Sequence, residues 1–435
     1  MKRKQPVSKL RPTPLLLLLL LVVMSCGDKP KSNFSGDYVI PKTETFEATT
    51  FENTQRVSSE VLNHLDGYDE NTGTYTFSGS PSMIESLKTG TVVLFEAHSL
   101  RKIKAIRKEN GKTIVESDPA MLTEYFKDAT IQYEAPISWT RPEVAASKVT
   151  FGQPIATIAM PLMATLGDEG LGVKFERELK GWKVTFELKP EAGEKLNIEL
   201  TAEKQHVCSI KAEGYISSFT SNASIVIENG TTQQFSYRND GLEGEIELKF
   251  AAVGLGSEIA YLEIPAQIER TILVEGFIPV TLRLKANLKI FPEVAAGSSS
   301  QVSMKLAYNS NLGFSYQTGR VQPSGGMSSE NAEQTGDCNT ATAGIAGMGV
   351  GIEFPRFEIG ILGNVVVPYL VLNTHTSSYL STGLLDNRPC HEAKIKYDAH
   401  AGVSMRFLGV LSINNDYKLF ENEKKWVAQG SHCGD

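Results

Sequence analysis

The feature that most constrains this chain is an alternation of apolar and polar residues in many of its segments. It is cleanest from 280 to 290, where the apolar residues are Val280, Leu282, Leu284, Ala286, Leu288 and Ile290. Similar alternation begins at Trp182, Leu196 and Ile246. Successive side chains of a strand point to opposite faces, so each segment has one buried face and one wet face. The pattern predicts a mainly β chain, with antiparallel β-sandwich or open-barrel sheets.

Turn sequences between the alternating segments support hairpins. Three of them end in glycine after asparagine or aspartate: Glu109-Asn110-Gly111, Glu228-Asn229-Gly230 and Asn239-Asp240-Gly241. Tight hairpin turns require positive φ, which these residues adopt at low cost. We therefore expect a hairpin at each of the three positions.

Residues 37–140 combine helix and strand signals. Ser82 and Glu85 have the spacing of a capping box, and Gly90 is placed to end that helix after about two turns. Asp118 followed by Pro119 predicts a second short helix, with Leu122, Tyr125 and Phe126 on its apolar face. Strands are expected at 91–95, 103–106 and 113–115. Together these signals predict a small N-terminal α+β module.

The rest of the chain divides by composition. Residues 150–323 carry the alternating segments and are expected to form an antiparallel β domain. Residues 324–347 are rich in glycine, serine, threonine, asparagine and alanine, which indicates a mobile loop or linker. Alternation resumes in 348–435, and we expect these C-terminal strands to complete the preceding β domain.

The N-terminus has the layout of a secretory signal, in which a basic leader precedes the uninterrupted apolar run Leu15 to Met24. A run of ten is too short to cross a membrane, which needs about 20 residues. The run ends in Val23-Met24-Ser25-Cys26, which resembles the lipobox of bacterial lipoproteins, with Met24 in place of a smaller residue. The resemblance implies cleavage after residue 25, acylation of Cys26 on its sulfur, and often acylation of its new amino group.

The lipoprotein resemblance also implies a location. Such a chain is extracytoplasmic and lipid-anchored to a bacterial membrane, on the periplasmic or surface face of the outer membrane. We interpret 1–25 as a signal peptide and 26–36 as a flexible tether. A second resemblance covers Leu100-Arg101-Lys102-Ile103 and Ser117 to Leu122, which look like a recurring N-terminal module of secreted, β-rich bacterial proteins of uncharacterised function. It implies no activity.

If Cys26 carries lipid, four cysteines remain: Cys208, Cys338, Cys390 and Cys433. Disulfides persist outside the cytoplasm, so these four are disulfide candidates. Two disulfides are the simple account, and three pairings are possible. The late positions of the last three favour at least one bridge in the C-terminal part, and buried free thiols are the alternative.

Composition argues against a nucleic-acid ligand, because the chain after Ser25 has 38 basic and 50 acidic residues, a net charge of −12.

His391-Glu392 opens like a metalloprotease motif but lacks the second histidine, and we interpret His391 and His400 as exposed or singly hydrogen-bonded. The oxygen-rich stretch Asp66 to Gly73 lacks calcium-loop spacing and is interpreted as a solvated turn. We predict no cofactor, metal site or catalytic residue.

These signals favour a lipid-anchored envelope or surface protein with a structural, adhesive or binding role toward a protein or glycan, and they favour a non-enzymatic role over catalysis. One alternative is a carrier or sensor of an apolar ligand, with a cavity lined by Ile155 to Leu166 and the inner strand faces. A second alternative is a glycoside-directed hydrolase, which needs two carboxylates about 5 to 10 Å apart.

Overall fold

The structure, a computed structural model, describes residues 38–69, 72–139, 148–151, 173–179, 181–191, 194–204, 208–253, 260–294, 299–317, 320–324, 332–334, 346–362, 366–382, 389–403, 415–427 and 430–431. The chain is mainly β, and curled antiparallel sheets form half-barrels. The predicted fold class, β-sandwich or open-barrel sheets with a small N-terminal α+β module, is confirmed.

The described helices are α1 (Ser59–Leu62), α2 (Ser82–Glu85) and α3 (Leu122–Tyr125). The strands up to residue 151 are β1 (Tyr38–Val39), β2 (Thr43–Thr50), β3 (Thr54–Val57), β4 (Leu65–Asp69), β5 (Thr74–Ser78), β6 (Val92–Phe95), β7 (Ser99–Glu109), β8 (Lys112–Pro119), β9 (Phe126–Ile137) and β10 (Lys148–Phe151). The next strands are β11 (Val173–Leu179), β12 (Trp182–Glu191), β13 (Lys195–Lys204), β14 (Cys208–Ser217), β15 (Phe219–Glu228), β16 (Thr231–Val253), β17 (Ala260–Val274), β18 (Ile278–Val294) and β19 (Ser299–Gln317). The last strands are β20 (Arg320–Ser324), β21 (Ala332–Gln334), β22 (Ala346–Ile361), β23 (Val366–Thr382), β24 (Pro389–Val403) and β25 (Asn415–Val427).

A six-stranded sheet, in the order β3-β6-β7-β8-β5-β4, forms the N-terminal module. It has its own core, which includes the fully buried Phe77 and Phe95. β6 is buried on both faces, because Val93 enters this core whereas Val92 enters the main core. The sheet occupies residues 54–119, and the flanking β2 and β9 belong to another sheet.

An eleven-stranded sheet contains β11-β12-β13-β14-β16-β15-β9-β2 in that order, and β19 joins it to β20 and β21. The predicted alternation determines its faces. In β12, Trp182, Val184, Phe186 and Leu188 are buried and the residues between them are half-buried or exposed. The apolar face packs in the main core, and the polar face points outward.

The eleven-stranded sheet divides in its middle. β14 and β15, separated by Ser218 alone, form one bent strand along β16. β14 pairs with the second half of β16, and β15 pairs with its first half. On the other edge of the bent strand, β14 pairs with β13 and β15 pairs with β9. β13 and β9 therefore separate where the strand bends.

An eight-stranded sheet has the order β1-β17-β18-β22-β23-β24-β25, with β10 also paired to β17. β1 is parallel to β17, and the other strands of this sheet pair in antiparallel fashion. β22 to β25 thus extend the sheet that β17 and β18 begin. One core contains buried residues from this sheet and from the eleven-stranded sheet, and the rings of Phe219 and Phe357 meet there with centroids 5.1 Å apart.

Backbone hydrogen bonds and a cation–π contact attach the N-terminal module to the eight-stranded sheet. The Ala97 N–H donates to the Phe277 carbonyl at 2.8 Å, and the Leu100 N–H donates to the Leu362 carbonyl at 2.8 Å. The Arg56 guanidinium lies 3.8 Å from the centre of the Phe277 ring. Val92 and Leu94 of β6 and Leu100 of β7 also pack in the main core.

Two of the three predicted hairpins are confirmed. Asn110 and Gly111 join β7 to β8, and Asn229 and Gly230 join β15 to β16, all four with positive φ. The third prediction, at Asn239-Asp240-Gly241, is wrong. These residues form an irregularity inside the continuous β16, between Asn239 and Leu242 in its pairing with β19. A glycine of positive φ serves a bulge as well as a turn, so the sequence signal is the same.

The two predicted helices are shorter or displaced. α2 is one turn long with Pro81 as its N-cap residue and no side-chain capping bond, so the Ser82 capping box is wrong. Asp118 and Pro119 belong to β8, and α3 starts at Leu122. Its cap is Met121, whose N–H donates to the Glu124 carboxylate at 2.9 Å. The pairing of β7 with β8 takes the predicted N-cap residue into a strand.

Several predictions fall outside the described residues. These are the leader and tether (1–36), Cys26, Cys338, Cys433 and the apolar stretch 155–166. In the predicted linker 324–347, residue 324 ends β20, residues 332–334 form β21 and pair with β19, and residues 346 and 347 begin β22.

The disulfide prediction needs one correction. Cys208 has a free, buried thiol at the start of β14, within the sheet between β13 and β16, so its candidacy for a disulfide is wrong. Burial raises the pKa of this thiol to about 12. Cys390 is buried and does not carry a free thiol, but the described residues contain no cysteine pair. The pairing of the remaining cysteines stays a prediction.

Candidate functional site

A cavity of about 560 Å³ opens where the eleven-stranded sheet divides. One wall is the bent strand at Phe219 together with the end of β9 at Ile137. The facing wall comes from the edge of the eight-stranded sheet, where β1 pairs with β17. We call this space the split cavity. It lies within the size range of small-molecule sites, about 300 to 1,000 Å³.

The apolar lining of the split cavity continues the main core to the surface. Val39, Ile137 and Phe219 are buried core residues. Ile40 also lines the cavity but is 62% exposed, one of two large apolar side chains with high exposure among the described residues. An apolar ligand in the cavity can therefore cover surface that the folded chain leaves in water.

Arg270 of β17 supplies the positive charge of the lining. Its side chain is only 8% exposed, and Nη2 donates to the Ser138 carbonyl at 3.0 Å. The guanidinium carbon lies 5.8 Å from the centre of the Trp139 ring. A guanidinium has five donors in a fixed fork, a geometry that matches a carboxylate or phosphate.

Trp139 positions both walls. Its indole Nε1 donates to the Ser217 carbonyl at 3.1 Å, which ties the end of β9 to the bend between β14 and β15. Its ring lies 6.1 Å from Phe219, and Phe219 contacts Phe357 of the opposite sheet. These ring contacts link the bend between β14 and β15 to the eight-stranded sheet.

Two acidic residues line the mouth. Asp240 forms an ion pair with Arg238 at 2.6 Å and accepts from the Asn222 amide at 2.9 Å. Glu194 has a φ of +67°, and its carbonyl accepts from the Ser218 N–H at 2.8 Å and the Ser218 hydroxyl at 3.1 Å. These contacts hold the turn before β13 against the bend. Tyr38 also lines the mouth, and burial raises its pKa.

The next inward-facing residue after Phe219 in β15 is Ser221, which is polar and buried. The Ser221 hydroxyl lies 3.4 Å from the Tyr133 hydroxyl and 3.5 Å from that of Tyr237. The Tyr237 hydroxyl donates to Asn239 Oδ1 at 2.5 Å. Asn239 Nδ2 has no hydrogen-bond partner among the described residues. The inner face beside the split cavity is thus polar as well as apolar.

The residues singled out for metal or base chemistry lie elsewhere. His391 and Glu392 are in β24, not in a helix, and Glu392 pairs with Lys425 at 2.5 Å. His400 Nε2 lies 2.6 Å from Asp398 Oδ2, in agreement with the hydrogen-bonded interpretation. Asp66 pairs with Lys112 at 2.8 Å. The described residues contain no group of three histidine, cysteine or acidic residues suited to a metal ion.

Sequence reasoning missed the residues of the split cavity. The lining comes from four short segments that are far apart in the sequence and from the single residues Glu194 and Arg270. The segments are 38–40, 136–138, 218–220 and 240–241, and only the pairing of strands in the sheets brings them together. Arg270 sits across from the buried Leu282 at an inward position of β17, but the alternation of this strand is too irregular to reveal that position in the sequence.

Among the described residues no helix has the length and apolar character needed to cross a membrane. Comparison with known proteins gave no match to a protein-family model, a curated protein or a solved structure.

Proposed function

We propose that this chain is a lipid-anchored, extracytoplasmic binding protein without catalytic activity, and that the split cavity holds an amphipathic small molecule with a carboxylate or phosphate head. The observation that carries the ligand proposal is the buried Arg270 in the lining of a half-apolar cavity. The apolar body of the ligand packs on Ile40, Ile137 and Phe219, and the head lies by the guanidinium. The carrier alternative, which sequence reasoning placed second, thereby comes first.

The leader supports the anchoring proposal. Its lipobox-like end predicts a mature N-terminus at Cys26. Intact-mass analysis of the N-terminal peptide from native membranes should show acyl chains on Cys26, and a Cys26→Ser variant should lack them. An unmodified Cys26 in the native protein contradicts this part of the proposal, and with it the location.

Ile40 offers a direct test of the cavity. We expect Ile40→Glu to weaken binding of the fluorescent probe 11-(dansylamino)undecanoic acid by about tenfold or more, because it places a carboxylate against the apolar body and near the head. Ile40 is exposed, so the variant should fold. Val427→Glu is the matched control, since Val427 is 48% exposed on β25 and does not line the cavity.

The two variants separate the outcomes. Binding that is weakened in Ile40→Glu and unchanged in Val427→Glu supports the split cavity as the site. Equal binding in both variants, or no binding of the probe to the unaltered chain, contradicts the ligand proposal. Extraction of the natively purified protein and mass spectrometry of the extract identify the natural ligand.

A further inference from the structure

A second concave site lies on the outward face of the eleven-stranded sheet. It has a volume of about 520 Å³ and crosses β2, β9, β15, β16, β19 and β20. Neighbouring strands are about 4.8 Å apart, so six strands give a length of about 24 Å. We call this site the polar groove.

The register of the strands defines the walls and floor of the groove. One wall is a row of outward-facing residues, one from each of five adjacent strands: Thr45, Gln132, Ser224, Ser236 and Ser315. The other wall is the row two residues away, which includes Glu134, Asn222 and Arg238. Between these walls lies a row with inward side chains, such as Tyr133 and Tyr237, so its backbone forms the floor.

The lining of the polar groove contains the charged residues Glu44, Glu134 and Arg238, and the Glu44 carboxylate accepts from the Glu275 N–H at 2.8 Å. Glu134 pairs with Lys42 at 3.6 Å, and Arg238 pairs with Asp240 at 2.6 Å, so the charges of the second wall are balanced. The first wall carries only hydroxyl and amide groups. Gln132 Nε2 donates to the Ser224 hydroxyl at 3.2 Å, which orients both side chains.

The outward face of the same sheet is different elsewhere. Across β13, β14 and the second half of β16 it carries lysine and glutamate in alternating pairs. Lys211 lies 3.2 Å from Glu199, and Lys249 lies 3.4 Å from Glu213. The change from charged pairs to hydroxyls and amides therefore coincides with the groove and is not a general property of the face.

The chemical groups of the lining indicate which class of ligand the polar groove can bind. Serine, threonine, asparagine and glutamine each offer both donors and acceptors, as the hydroxyls of a sugar do. An extended peptide is recognised mainly through its backbone at a sheet edge, but the groove crosses strands whose backbone groups are already paired with one another. A charged ligand finds no net opposite charge in the walls.

We propose that the polar groove is a binding site for a neutral oligosaccharide, which lies across the strands and exchanges hydrogen bonds with both walls. This site shares no lining residue with the split cavity, although Asp240 of the split cavity contacts Arg238 and Asn222 of the groove. Its ligand is of another class. The chain then holds an amphipathic molecule at one place and a glycan at the other.

The test uses the full chain, purified in a detergent without a sugar head group. The probes are neutral hexasaccharides of glucose, mannose or N-acetylglucosamine units, and binding is measured by isothermal titration calorimetry. We expect at least one of these hexasaccharides to bind. Ser224→Arg should weaken that binding by about tenfold or more, because the long side chain fills the middle of the groove.

A matched variant controls for the new charge. Ser209 is exposed on the outward face of β14, away from the groove, so Ser209→Arg should bind as the unaltered chain does. Ile40→Glu should also bind the hexasaccharide normally, which separates this proposal from that for the split cavity. Melting temperatures establish that each variant is folded.

Three results would overturn the proposal. The first is that no neutral hexasaccharide binds at millimolar concentration. The second is equal affinity in Ser224→Arg and in the unaltered chain, or an equal loss in Ser209→Arg. The third is tighter binding of a hexamer of uronic acids than of any neutral hexasaccharide, because that preference indicates an anion site.

Discussion

Arg270 shows what a single residue contributes to the candidate site. It lies across from Leu282 and two residues before Ile272, both buried, so its backbone position belongs to the core face of β17. The alternation that reveals such a position is interrupted in this strand, because the register with β18 shifts between Glu263 and Gln267. Regular strands such as β12 could be predicted from the sequence, whereas the phase of β17 could not.

Arg270→Met tests the role of the charge. Methionine keeps an unbranched apolar stem but removes the guanidinium. We expect binding of 11-(dansylamino)undecanoic acid to weaken by about tenfold or more, and binding of its uncharged methyl ester to change little. Both are measured by fluorescence titration. An equal loss for acid and ester contradicts a role in binding the head and indicates a structural role.

The buried tyrosines predict how stability depends on pH. Burial raises the pKa of Tyr133 and Tyr237 above the ordinary value of 10, and that of Tyr125 to about 12. The folded state therefore holds these protons more tightly than the unfolded state does. The contribution of these tyrosines to the stability of the fold is fully present below pH 10. It is lost as the pH rises through their pKa values in the folded state.

The measurement is urea unfolding at several pH values between 8 and 11. We expect the free energy of unfolding to fall above pH 10, by up to about 1.4 kcal/mol per pH unit for each such tyrosine. Tyr133→Phe should make the decline shallower. A constant free energy of unfolding up to pH 11 contradicts the prediction.

Among the elements, hairpins with an asparagine-glycine turn were predicted correctly, but the bulge in β16 was not. The two differ in the path that the chain takes after the glycine. After Gly230 the chain reverses and pairs with β15, whereas after Gly241 it continues along β19. The same local sequence pattern is compatible with a turn and with a bulge. The pairing with a distant strand determines which of the two forms. The predicted start of α3 is wrong for a similar reason, since β8 extends into it and pairs with β7.

The two asparagine-glycine turns give a matched comparison. Gly230 has a φ of +67°, and a Cβ there would lie 2.9 Å from the Phe51 ring and 3.3 Å from the Thr123 carbonyl. Gly111 has a φ of +77° and open space around it. We expect Gly111→Ala to cost about 1 kcal/mol, through backbone strain alone, and Gly230→Ala to cost more. Urea unfolding measures both, and an equal cost shows that the contact with Phe51 relaxes freely.

At the scale of the whole molecule, the presence of two hydrophobic cores predicts that the N-terminal module and the two large sheets differ in stability. Phe77 is buried in the core of the N-terminal module, whereas Phe219 joins the two large sheets in the main core. Each change to alanine should cost about 3 to 5 kcal/mol in its own core. Hydrogen exchange read by mass spectrometry should show lost protection of β5 and β8 in Phe77→Ala, with β15 and β16 still protected.

The converse variant completes the comparison. Phe219→Ala should lower protection of β15 and of β22 together, because these strands share one core. Uniform loss of protection across all three sheets in Phe77→Ala shows instead that β6, which enters both cores, couples them into one unit. The sequence indicated a separate N-terminal module, but this coupling could not be predicted, since it depends on which core each face of β6 meets.

The short strand β1 has a consequence for kinetics. It forms part of the wall of the split cavity, yet it contributes only two residue pairs, Tyr38 with Thr271 and Val39 with Ile272. Short strands with few ladder bonds open at much lower free energy than the core does. Release of β1 from β17 uncovers the cavity while the antiparallel ladders of both sheets remain intact. If the split cavity holds the ligand that we propose, that ligand should exchange on the timescale of local opening of β1, without unfolding of the chain.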